Sequence, residues 1–103
     1  MERFLKLPRY PFTRAMIEHA PEESGVYGLF DGHELVYVGK TAPGASIKAG
    51  LFLHQDGANG ACTMKATAYT WEITLSPAAR ETEILARFHQ GNGRDPRYQD
   101  KVA

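Results

Sequence analysis

The sequence predicts a small α/β domain of the α+β kind, with a three-stranded antiparallel sheet flanked by helices. Three observations carry this reading. Residues 25–39 read as a β-hairpin, residues 68–75 alternate apolar and polar, and Ser76-Pro77 opens a helix. A hairpin followed by helix, strand and helix favours an antiparallel sheet covered by helices.

The hairpin rises through Val26–Phe30, turns at Asp31-Gly32, where glycine accepts positive φ, and returns through Leu35–Gly39. Upstream, Pro11 opens a short helix that should run to about Ala20 and stop at Pro21. Downstream, Ser46 caps a helix over residues 46–55, although Gly50 weakens it by about 1 kcal/mol relative to alanine. Residues 56–62, with Gly57 and Gly60, read as a loop. In the third strand Tyr69, Trp71, Ile73 and Leu75 share one face and Thr70, Glu72 and Thr74 the other. Trp71 is expected in the core under the last helix. That helix combines an N-cap with proline at its first position and should run to about Gln90, ending at Gly91.

A chain of 103 residues is one domain, 1–103, with room for a single core. No apolar run approaches the roughly 18 residues a membrane span needs, and the N-terminus lacks a signal-peptide pattern. The default expectation is a cytoplasmic address without membrane association. The single Cys62 excludes an internal disulfide or a thiolate zinc cluster, and reads as a small structural side chain. Twelve basic and twelve acidic residues leave the chain neutral, which counts against a general nucleic-acid binder. Local basic stretches remain: Arg3, Lys6, Arg9 and Arg14 near the N-terminus, then Lys40, Lys48 and Lys65.

The last helix holds an anomaly. Ala78, Ile84, Leu85 and Phe88 cluster on one side, with Arg80, Glu83 and Arg87 opposite, yet Glu81 projects into the apolar face. An ionised carboxylate there is costly unless it is paired, metal-bound or open to a cleft. A satisfied structural glutamate and a functional one are both consistent with this pattern.

Residues 25–41 read Gly-Val-Tyr-Gly-Leu-Phe-Asp-Gly-His-Glu-Leu-Val-Tyr-Val-Gly-Lys-Thr. This resembles the signature of the GIY-YIG nuclease family, with Gly25-Val26-Tyr27 and Tyr37-Val38-Gly39 as its halves. The resemblance spans roughly residues 24–99. It implies metal-dependent hydrolysis of DNA phosphodiester bonds, in which Tyr27 acts as general base or water-positioning group and Tyr37 helps hold the site. Glu81 would bind one divalent ion, Mg²⁺ or Mn²⁺. The apolar residues Ile84 and Leu85, three and four positions on, select Glu81 over Glu83. Lys40 matches a basic residue after the second motif, and His54 a histidine of the family's first helix that contacts phosphate or water. His54 reads equally as a packed histidine. His19, His33 and His89 show no metal-ligand spacing and read as surface residues.

The chemistry explains these types. Hydrolysis needs an activated water, neutralised phosphoryl oxygens and a stabilised leaving alkoxide. A tyrosine of ordinary pKa near 10 is a poor base at neutral pH, so a cation such as Lys40 or the metal must lower it. A hard cation that keeps several waters needs only one or two carboxylates.

The chain departs from the family where an arginine should neutralise the scissile phosphate, because the alignment on His54 puts Gly50 there. Lys48 and Arg80 are the candidate phosphate-binding substitutes. In the Pro96-Arg97-Tyr98-Gln99 ending, Gln99 stands where the family has asparagine. Two readings therefore stand: an endonuclease acting on DNA, including branched or damaged forms, or a degraded module of the same fold that binds nucleic acid or a protein. An unrelated small-molecule-binding domain is a third. Without a separate DNA-recognition domain, an active chain would need a homodimer, a protein partner or a structure-specific substrate.

Overall fold

The computed structural model describes residues 3–101. Among them the sheet has four strands rather than three. They are β1 (Tyr10–Pro11), β2 (Gly25–Asp31), β3 (Glu34–Lys40) and β4 (Ala68–Ile73), in the order β1-β4-β2-β3 with every pairing antiparallel. The extra strand occupies part of the segment expected to be helical. Pro11 sits at the sheet edge opposite Ala68, where a missing N–H costs no ladder bond. Helix α1 is correspondingly short, Arg14–Ile17, because the cap is Thr13, whose hydroxyl accepts from the Met16 amide.

The hairpin forms as expected, with Gly32 at φ 62° and Asp31 facing Glu34 across the turn. A bulge between Leu29 and Phe30 leaves Val36 unpaired in the register, and Val36 and Tyr37 both pack toward one face of the sheet. Helix α2 spans Ile47–Gln55, and Ser46 caps it by accepting from the Ala49 amide. Its first turn is tied to the preceding chain, with the amides of Ile47 and Lys48 donating to the carbonyls of Glu23 and Pro21.

Helix α3 runs Pro77–Asn92, two residues beyond the expected stop. Gly91 is helical, and Gly93 supplies the left-handed C-cap at φ 72°.

Both faces of the sheet are covered, which explains why β2 is buried almost end to end. On one face Tyr27, Leu29 and Tyr69 pack with Phe12, Ile17, Ile47 and Leu51 under α1 and α2. On the other, Val26, Phe30 and Val38 pack with Phe4, Ile84 and Phe88 under α3. Trp71 lies opposite Tyr27 and joins the α1/α2 side, stacked at 6.5 Å on Tyr10, and not the last helix. The alternation of β4 is right but its assignment to a layer is reversed. Glu72, on the other face, is chelated by Arg80 of α3, so an ion pair is what links β4 to that helix. Ile73 and Leu75, toward and past the end of β4, are exposed, Leu75 to 96%.

Candidate functional site

Tyr27 projects from the central strand toward α2, and its ring lies between two glycines. A Cβ at Gly39 would fall 2.4 Å from its Cζ, and one at Gly50 would fall 3.0 Å from its Cε2. The ring therefore requires glycine on the neighbouring strand and packs closely against the glycine of the facing helix. Its hydroxyl meets Nε2 of His54 at 3.0 Å, and Nδ1 of His54 meets the Thr63 hydroxyl at 2.9 Å. Burial holds His54, 1% exposed, down to a pKa of about 4, so the ring is neutral at pH 7. A neutral imidazole donates at one nitrogen and accepts at the other, so Tyr27, His54 and Thr63 form one chain of hydrogen bonds. Thr63, in a single turn of 3₁₀ helix at Thr63–Lys65, carries no sequence pattern that could have singled it out.

Tyr37 connects this buried chain to the surface. Its ring centroid lies 4.8 Å from His54 and 6.5 Å from Tyr27. It also lines an open cleft of about 660 Å³ with Lys40, Thr41, Pro43, Leu75 and Glu81. Strand β3 supplies Tyr37 and Lys40, and α3 supplies Glu81. The Lys40 ammonium sits 3.0 Å from Oε1 of Glu81. Their exposures differ: the carboxylate is 15% exposed and held in the wall, whereas the lysine is 49% exposed. Glu81 thus answers the anomaly of the helix by being both paired and open to a cleft.

Burial raises the pKa of Tyr27, and the neighbouring Tyr37 and then the Glu81 carboxylate raise it further. Tyr37 is raised by burial and then by Glu81. Lys40 lies on Glu81 and does not bring either phenol toward ionisation. In this arrangement both tyrosines are hydrogen-bonding groups at neutral pH. Tyr27, only 4% exposed, stands behind the cleft wall.

The structure brings Tyr27, Tyr37, Lys40, His54 and Glu81 together and leaves two other candidates outside. Lys48 is on α2 and pairs with Glu22 at 3.3 Å. Arg80, its side chain largely buried, is clasped by Glu72 of β4 and by Glu83. Neither lines the cleft. Gln99 is also not in it. Its side-chain amide pairs with the backbone of Val38, accepting from N–H at 2.9 Å and donating to the carbonyl at 2.7 Å. It thereby occupies the free edge of β3 as a neighbouring strand would.

No cluster of three or more His, Cys, Asp or Glu side chains able to hold a metal occurs among the described residues. Among the described residues the cleft offers a cation one carboxylate, Glu81, with Tyr37 beside it. That donor set suits a hard, largely hydrated ion such as Mg²⁺ and no softer metal. No family model matches the chain, and no curated protein matches it. Among the described residues no helix is long and apolar enough to cross a membrane.

Proposed function

We propose that this domain is a metal-dependent endonuclease of the GIY-YIG type, acting on DNA in the cytoplasm. The observation that carries the reading is the convergence of Tyr37, Lys40 and Glu81 on one open cleft, with the Tyr27–His54 pair directly behind. The hairpin of β2 and β3 and two helices from later in the chain deliver these five side chains to one place.

In this reading Glu81 would hold the divalent ion, which when bound would stabilise charge on the phosphoryl oxygens and lower the pKa of a coordinated water. Lys40 neutralises the phosphate. Tyr37, the phenol that lines the cleft, positions the attacking water by hydrogen bonding. Tyr27 and His54 hold the Tyr37 ring in place and give its side of the cleft a neutral, hydrogen-bonded backing. Water attacks phosphorus and gives up a proton to solvent, the P–O ester bond breaks, and the departing alkoxide takes a proton back from solvent, leaving a phosphate monoester and a hydroxyl end. Cleavage of branched, single-stranded and duplex DNA with Mg²⁺ or Mn²⁺, compared between the wild type and Glu81→Gln, tests the proposal.

One observation favours a second reading, a module that binds nucleic acid or a protein partner without cleaving. The Tyr27 ring fills the space over Gly50, where the family's phosphate-neutralising arginine would project. A cleft with Lys40 as its one lining cation among the described residues would bind phosphate more readily than it would cleave it.

A further inference from the structure

The Lys40–Glu81 pair is asymmetric in a way that bears on how the cleft would load a cation. The carboxylate is largely enclosed on the rigid helix α3, and among the described residues Lys40 is its one hydrogen-bonding and ion-pairing partner. The ammonium is half exposed, on a flexible four-carbon stem at the very end of β3. The loop that follows, Thr41 to Gly44, lines the same cleft. A divalent ion coordinating Glu81 would arrive within a few ångströms of a like charge already seated there. Two like charges at that separation repel, and the half-exposed ammonium has room to move away.

We propose that Lys40 is a built-in competitor for the Glu81 site, standing in for the metal when the cleft is empty and released by an incoming phosphate. This rests on the nuclease reading for its second half only. The ammonium can reach outward to a phosphate oxygen by rotating its own stem. Substrate and metal then bind with positive coupling, because each removes the obstacle to the other. The coupling is reciprocal, with each ligand raising the affinity of the other by the same factor. The half-exposed ion pair itself is weak, so the barrier is modest and the exchange is rapid.

The test titrates Mn²⁺ into the full chain by calorimetry, with free Mn²⁺ followed by electron paramagnetic resonance. The wild type should bind weakly, and Lys40→Met, which keeps the apolar stem and removes the charge, roughly five- to tenfold more tightly. Lys40→Gln should behave alike, and Glu81→Gln should abolish binding in every background. An oligonucleotide with phosphorothioate linkages that resists cleavage should tighten Mn²⁺ binding to the wild type several-fold and have no such effect on Lys40→Met. Equal or weaker Mn²⁺ binding by both lysine variants overturns the proposal, as does a wild type and variants that all fail to bind Mn²⁺. The two proposals fail separately. Tighter Mn²⁺ binding by the lysine variants with no DNA cleaved overturns the nuclease reading and leaves the competition standing. Cleavage by the wild type with unchanged Mn²⁺ affinity in the variants does the reverse.

Discussion

The ring of Tyr27 lies against the bare Cα of Gly50, so that a Cβ at position 50 would come within 3.0 Å of its Cε2 and 3.2 Å of its hydroxyl oxygen. The ring has little room to retreat, because Gly39 closes its other side and His54 holds its hydroxyl. Gly50 is thus a close-packing position inside a helix, where any side chain, the arginine implied by the family resemblance included, must push the Tyr27 ring aside by a few tenths of an ångström.

Gly50→Arg is therefore expected to lower stability and not to raise cleavage. Overpacking costs about 1–3 kcal/mol, which outweighs the gain of about 1 kcal/mol from removing a helix-interior glycine. Urea denaturation checks this, and Gly50→Ala should already show a net loss. An arginine variant as stable as the wild type would mean that Tyr27 can move aside.

The buried His54 makes stability depend on pH with a definite sign. Its folded pKa of about 4 lies below the ordinary 6.5, so the unfolded chain binds the proton more readily. Its contribution to stability is fully present above about pH 6.5 and is lost as pH falls toward 4. The slope of unfolding free energy against pH across that window should become shallower in His54→Gln. Equal slopes in the two proteins would show that His54 takes up its proton in the fold over the same pH range as in the unfolded chain.

Gln99 should matter through the edge of β3. Gln99→Ala leaves the Val38 N–H and carbonyl without their side-chain partner, at a cost of about 1–2 kcal/mol. Amide hydrogen exchange at Val38 should accelerate in the variant, while Val26 in the middle of the sheet keeps its protection. Unchanged exchange at Val38 would show that the tail does not guard that edge.

What the sequence disclosed was local. The hairpin, the Ser46 cap and the carboxylate on the wrong side of the last helix each depend on residues a few positions apart. Strand β1 did not show, because two residues become a strand only through pairing with Tyr69 and Ala68 from the far end of the chain. Trp71 was assigned to the wrong layer because alternation groups side chains by face without saying which helix covers that face. Arg80 looked available on a helical wheel, and Glu72, its partner from β4, lies outside the helix that the wheel describes. The role of Gly50 was hidden for the same reason, since the ring that needs it comes from another element. The gathering of Tyr27, Tyr37, His54 and Glu81 was legible only through the family resemblance, and no periodicity in the chain would have grouped them.

Whether the cleft of Tyr37, Lys40 and Glu81 cleaves DNA with a divalent ion is tested by its dependence on the Glu81 carboxylate. The most direct measurement incubates the wild type, Glu81→Gln and Lys48→Ala with branched, single-stranded and duplex DNA, with Mg²⁺ or Mn²⁺ and with a chelator. The wild type should cleave at least one DNA form in a metal-dependent way, with cleavage retained in Lys48→Ala and reduced about 100-fold or more in a folded Glu81→Gln. Absence of cleavage by the wild type on every form, or equal cleavage by Glu81→Gln, would contradict the nuclease reading.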